Sequence, residues 1–121
     1  MNNQEILEYN RKCAEFMGWE INTFKEQYLY IVSPETATQY NSLEELKFHS
    51  DWNWIMDVIE KMEKNFKKYY IRTNIWNKTC NISAENSKYI EVFDISKRSP
   101  TKKESTIEAI TQFLTWYNAN K

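Results

Sequence analysis

Tyr69-Tyr70-Ile71-Arg72-Thr73-Asn74-Ile75-Trp76 is the stretch on which the fold turns. It alternates: Ile71 and Ile75 fall on one face, Tyr70, Arg72 and Trp76 on the other, the period-two signature of a half-covered strand. Asn77-Lys78 follows as a two-residue turn, because Asn tolerates positive φ. Thr79 to Ala84 resumes the alternation with Cys80 and Ile82 on one face, and Asn86-Ser87 turns the chain again. Lys88 to Ile95 carries apolar residues on both faces, Tyr89, Phe93 and Ile95 against Ile90 and Val92. That pattern predicts a strand covered above and below. The whole reads as an antiparallel meander.

Helices flank it. From about Asn3 to Met17, Ile6, Cys13 and Met17 share a stripe with Leu7, Tyr9, Ala14 and Phe16 beside it. Asn2 or Asn3 can cap its start, and Gly18, the single glycine of the chain, suits a left-handed helix end. Trp19 to Phe24 fits neither period clearly. Tyr28-Leu29-Tyr30-Ile31-Val32 is a strand, and Ser33 to Ser42 reads as a loop. Ser50 caps a second helix whose buried stripe is Ile55, Val58, Ile59, Met62 and Phe66, widened by Trp52 and Met56 on one side and Trp54 on the other. After a polar loop, Ser96 to Pro100, Thr101 and Glu104 have capping-box spacing. They open a last helix to about Asn118, with Ile107, Ile110, Leu114 and Tyr117 as its stripe. The predicted order is α-β-α-β-β-β-α. The predicted class is α+β, a mainly antiparallel sheet between helical layers (an α/β/α sandwich).

At 121 residues the chain is expected to form a single domain. Five Trp, eight Tyr and six Phe supply enough buried area to hold a core without a metal or disulfide staple. The polar start, Met1-Asn2-Asn3-Gln4-Glu5, does not resemble a signal peptide, and no apolar run reaches the ~20 residues of a membrane span. A cytoplasmic protein is expected, with Cys13 and Cys80 as reduced, buried side chains. Residues with AT-rich codons (Phe, Tyr, Ile, Asn, Lys) are abundant, whereas Gly occurs once and Pro twice. That bias is common in phages and mobile elements, and in many bacteria.

The composition excludes several chemistries. One glycine rules out glycine-rich phosphate loops, one His rules out paired-His metal motifs, and the two cysteines form no C-x-x-C pair. No cofactor and no catalytic constellation are expected. The densest segment is Lys47-Phe48-His49-Ser50-Asp51-Trp52-Asn53-Trp54. Read for function, His49 is a proton carrier oriented by Asp51, with Trp52 offering an indole to a ligand. Read for structure, the same residues start a helix, and this reading accounts for them more simply.

A net charge of −1 argues against wholesale phosphate binding. Two local clusters stand out. Lys61, Lys64, Lys67, Lys68 and Arg72 suit a solvated helix end. Lys97, Arg98, Lys102 and Lys103 put cations into a first helical turn, where they are not favoured, and so form the better candidate for nucleic acid. Asn10 lies within the apolar arc of the first helix, and Trp116 lies off the stripe of the last, where it would meet a partner, a second copy in a homodimer, or the sheet edge.

The chain resembles the phage ABA sandwich domain, a family of small phage and prophage proteins. The resemblance rests on Met17-Gly18-Trp19, Tyr30-Ile31-Val32-Ser33-Pro34, Leu46 to Trp54 leading into Ile55-Met56-Asp57-Val58-Ile59-Glu60-Lys61, and Ala109-Ile110 through Phe113 to Trp116-Tyr117. It implies a sheet between helical layers and no assigned catalytic residue. The function expected is therefore non-enzymatic: a phage- or prophage-encoded protein that binds a host or phage protein. The alternatives are a nucleic-acid accessory protein acting through Lys97–Lys103, and a small-ligand binder or enzyme centred on His49 and Asp51.

Overall fold

The first helix, α1 (Asn3–Phe16), is closed at both ends by its sequence. The Asn2 side chain accepts from the Glu5 N–H at 2.8 Å, and Glu5 Oε1 accepts from the Asn2 N–H at 3.3 Å, a reciprocal capping box. At the other end Gly18 takes φ 77°. Its N–H reaches Glu15 O at 3.0 Å and the Trp19 N–H reaches Ala14 O at 2.9 Å, the paired bonds of a Schellman ending. The computed structural model describes residues 1–24, 28–33, 39–40, 42–64 and 68–121. It divides the chain into two compact units, Met1–Trp54 and Ile55–Lys121.

In the first unit, Trp19–Phe24 resolves as a strand, β1 (Glu20–Phe24), antiparallel to β2 (Tyr28–Val32) from Glu20↔Val32 to Phe24↔Tyr28. A short β3 (Gln39–Tyr40) pairs with β2 through Ile31↔Tyr40 and Val32↔Gln39. The stretch expected to be a loop, Ser33 to Ser42, thus contains a short strand; its residues 34–38 and 41, Pro34 included, lie outside the described residues. A 3-10 turn (Leu43–Glu45) follows and lies beside α1. Among the described residues of this unit, Tyr9, Cys13, Ala14, Phe16, Ile31, Leu46 and Phe48 are the buried apolar side chains.

Helix α2 (Trp52–Lys64) runs across the boundary between the units. Ile55, Val58, Ile59 and Met62 are buried as the periodicity predicts, whereas Met56 is exposed; Phe66 and Lys67 lie outside the described residues. The sheet of the second unit is β4 (Tyr69–Ile75), β5 (Thr79–Asn86) and β6 (Glu91–Arg98), in that order and antiparallel throughout. Helix α3 (Lys102–Asn120) packs on β5 and β6, its start capped by Thr101 Oγ1 accepting from the Glu104 N–H at 3.1 Å. The fold is α+β.

The meander is correct, but its third strand is displaced. Asn86 Oδ1 accepts from the N–H groups of Lys88 (2.9 Å) and Ile90 (3.0 Å), and the Asn86 N–H reaches Ile90 O at 2.9 Å. One side chain therefore satisfies a four-residue turn, in which Tyr89 sits at φ 61° and is 87% exposed. Tyr89 and Ile90 belong to this turn, so the two-sided apolar pattern read from Lys88 to Ile95 does not describe a strand. Nor is Ser96–Arg98 a loop: it continues β6, and the Ser99 N–H closes onto Lys78 O at 2.9 Å. With register corrected, Ile71, Cys80, Ile82, Ala84 and Ile95 are the buried side of this sheet, and Arg72, Asn74, Asp94, Ser96 and Arg98 alternate onto an exposed side.

Candidate functional site

The segment Leu46–Asp51 is pinned by alternate residues. Leu46 and Phe48 are buried, so His49 is carried between them and the start of α2. The N–H groups of Ser50 and Asp51 both reach Lys47 O, at 3.1 and 2.9 Å, closing the turn that holds His49. His49 Nδ1 lies 2.9 Å from the Asn10 amide, within hydrogen-bond distance. Asn10 is 0% exposed, and its Oδ1 has no hydrogen-bond partner. The polar residue that the sequence leaves as an anomaly on α1 is thus the partner of His49.

These two residues line a cavity of about 340 Å³ with Asn3, Ile6, Leu7 and Glu44. Asn3, Ile6, Leu7 and Asn10 are spaced i, i+3, i+4 and i+7, one face of α1. Leu43–Glu45 supplies Glu44 from the opposite side. The wall is half apolar (Ile6, Leu7) and half polar, with one carboxylate. Among the described residues no three His, Cys, Asp or Glu side chains converge to hold a metal.

Asp51 does not orient His49 in the way the functional reading supposed. Its Oδ1 accepts from the Asn53 N–H at 2.8 Å, the cap bond of α2. The cap residue is therefore Asp51, not Ser50, since Trp52 is the first helical residue. Trp52 is half-buried. Trp54 joins an aromatic cluster, packing against Trp19 (5.5 Å), Phe48 (4.9 Å) and Tyr40 (5.5 Å). Trp19 and Tyr40 stack at 5.7 Å with 5° between planes. This cluster joins residues from the end of α1, β3 and the start of α2, a convergence with no sequence period to announce it.

Lys97 and Arg98 are neighbours on β6 and so alternate between its faces: Lys97 is half-buried, Arg98 exposed. The Lys102 carbonyl accepts from the hydroxyls of Ser105 (2.9 Å) and Thr106 (2.8 Å), and Lys103 is half-buried. Sequence proximity does not place these four cations on one strand face. Trp116 is internal packing: its ring lies 4.6 Å from Phe93, 5.6 Å from Tyr69 and 6.1 Å from Phe113. The small Ala84, which pairs with both Ile71 and Phe93, leaves room between β4 and β6 for a large ring.

The exposed large side chains of this unit lie elsewhere. Tyr70 is 65% exposed and Trp76, next after β4 in the same alternation, is 54% exposed. Between them Arg72 lies 5.7 Å over the Tyr70 ring and 3.5 Å from Glu85. Across the sheet Arg72 pairs with Ser83 and that with Asp94; Asn74 pairs with Asn81 and that with Ser96. Asn81 Nδ2 donates to Asp94 Oδ1 at 2.7 Å and to Ile95 O at 3.0 Å, fixing the middle of the face. The sequence assigns Tyr70, Arg72 and Trp76 to one face, but which face stays wet depends on where α3 packs.

The buried thiols are inert by their surroundings. Burial pushes Cys13 up to about 12, partly offset by its contact with the Tyr9 hydroxyl. Burial likewise pushes Cys80 up to about 11, offset by the Thr106 hydroxyl. No helix among the described residues is long and apolar enough to cross a membrane. No protein-family model, curated protein or solved structure matches this chain.

Proposed function

We propose that this chain is a non-enzymatic binding protein of a phage or integrated element, acting in the cytoplasm of the bacterial host by holding a host or phage protein. The observation that carries the proposal is the β4–β5–β6 face, where Tyr70 and Trp76 stand exposed on either side of Arg72. Tyr, Trp and Arg are the residue types that supply most binding energy at protein interfaces, and Ser and Asn around them supply adaptable hydrogen bonds. A hydrogen-bonded sheet holds them in place before binding, which lowers the ordering cost. The balanced charges of Arg72, Glu85, Asp94 and Arg98 suit a protein surface better than a phosphate backbone. The resemblance to the phage ABA sandwich domain belongs to the same reading.

The test compares the full chain with a Tyr70→Ala/Trp76→Ala variant and a control, Gln112→Ala, on the exposed side of α3. Each is immobilised, the captured host or phage protein is identified, and its affinity is then measured with purified components. The proposal expects binding by wild type and control, and a loss of about tenfold or more in the double variant. Undiminished binding by the double variant, or no specific protein captured by wild type, overturns it. Capture abolished by nuclease would instead favour the nucleic-acid reading through Lys97–Lys103.

A further inference from the structure

We propose that the outer edge of β4 pairs with the same edge of a second copy of this chain, antiparallel and two-fold symmetric about Thr73. β4 is an outer strand, hydrogen-bonded to β5 on one side only. The Trp76 N–H reaches Thr79 O at 2.8 Å, so Tyr70, Arg72, Asn74 and Trp76 turn their backbone groups toward β5. Ile71, Thr73 and Ile75 therefore turn theirs outward. The Thr73 N–H meets Glu63 Oε2 at 3.2 Å, and the outward N–H groups of Ile71 and Ile75 have no acceptor among the described residues. Such a row of open backbone groups is a template for another strand.

The strand's own sequence names the occupant. Tyr70-Ile71-Arg72-Thr73-Asn74-Ile75-Trp76 reads the same by residue class in either direction: aromatic, Ile, polar, Thr, polar, Ile, aromatic. Two such strands crossing at Thr73 set Tyr70 opposite Trp76, Arg72 opposite Asn74 and Ile71 opposite Ile75, each pair occurring twice, as a self-complementary interface requires. The outward residues then form the hydrogen-bonded pairs. Tyr70–Trp76 and Arg72–Asn74 fall in the non-hydrogen-bonded positions, where side chains come closest. Tyr70 and Trp76, both mainly exposed in the single chain, cover each other, and half-buried Ile75 meets Ile71 on the core side. Sliding the register by two residues in one direction sets Arg72 against Arg72; in the other it sets Tyr70 against Lys78 of the turn, so charge and pairing both favour the central register. Glu63 limits the affinity: its exposed carboxylate must give up the Thr73 N–H to the Thr73 carbonyl of the second copy, one acceptor exchanged for another. Paired aromatics still project from the exposed side, so pairing lengthens the sheet face without covering it, and the inference does not depend on what that face binds.

Sedimentation equilibrium of the purified full chain, up to about 1 mM, is compared with Asn74→Arg and Asn74→Glu. Asn74 is exposed, so neither substitution disturbs the core. Wild type is expected to be monomeric at low micromolar concentration and to dimerise in the high-micromolar to millimolar range, as a small interface should. Asn74→Arg sets Arg against Arg72 twice and should weaken the dimer about fivefold, whereas Asn74→Glu sets Glu against Arg72 twice and should tighten it by about the same factor. Overall charge predicts the reverse, since the change to Arg removes the chain's net charge of −1 and the change to Glu doubles it. In a mixture of isotope-labelled and unlabelled chain, the Tyr70 ring should show proton contacts to the Trp76 ring of the second copy. The proposal is overturned by wild type and Asn74→Glu both remaining monomeric at the highest concentration, by a dimer that Asn74→Glu does not tighten or Asn74→Arg does not weaken, or by a dimer without Tyr70–Trp76 contacts between copies. No other protein is present, so failure here leaves the capture of a host or phage protein standing, and the reverse.

Discussion

Cys13 shows how one side chain couples the fold to pH. Its thiol is pushed from an ordinary value of 9.0 to about 12 by burial, so the folded chain keeps it neutral where the unfolded chain ionises it. A raised folded pKa gives stability that is complete below about pH 9 and is lost as pH rises toward 12. Cys80, pushed to about 11, adds to the same loss, and Tyr9, raised chiefly by burial, extends it at the alkaline end. Urea unfolding should therefore give a stability that falls from pH 9 to pH 11, and Cys13→Ala should make that fall shallower. An unchanged slope in the variant would place the titrating group elsewhere. Asn10 and His49 make a different point at the same scale. An Asn within an apolar arc is readable as an exception, but its partner is 39 residues away and invisible without the turn that Leu46 and Phe48 anchor.

Among elements, the helix ends were the most legible, because capping chemistry is local. Asn2, Gly18 and Thr101 all act where their spacing puts them. Asp51 took the role expected of Ser50, a shift of one residue that the shared capping ability of Ser and Asp leaves open. Asp51→Ala should cost about 1 kcal/mol in chemical denaturation, and Asp51→Asn should restore most of it because it keeps the acceptor. A proton-orienting Asp would not be replaced by Asn in this way. The open edge of β4 is also managed locally. Glu63 Oε2 accepts from the outward N–H of Thr73 at 3.2 Å, tying the end of α2 to an edge strand. In Glu63→Ala the Thr73 amide should exchange with deuterium markedly faster while the amides of Arg72 and Asn74 change little. Uniform acceleration of all three would mean that the whole strand had loosened. The displaced start of β6 escaped the sequence because Tyr89 and Ile90 mimic strand alternation, and only the Asn86 side chain, by accepting two N–H groups, makes that segment a turn.

For the molecule as a whole, two tryptophans that look alike in sequence separate completely. Trp116, against Tyr69, Phe93 and Phe113, should cost roughly 2 kcal/mol or more when replaced by Ala, whereas Trp76→Ala should stay within about 0.5 kcal/mol in the same urea titration. A large loss at Trp76 would remove it from the binding face. The sequence by itself determined the α+β class, the antiparallel meander, the helix caps and the buried stripe of α2, because each depends on residues a few positions apart and on the fixed periods of helix and strand. It also excluded glycine-loop, paired-His and paired-Cys chemistry by simple count. Only the tertiary structure decided that His49 meets Asn10 beside a cavity, that Trp54 joins Trp19, and that Tyr70 and Trp76 remain exposed while Trp116 does not. Those outcomes depend on which distant segment covers which face, and long-range packing leaves no period in the chain to be read.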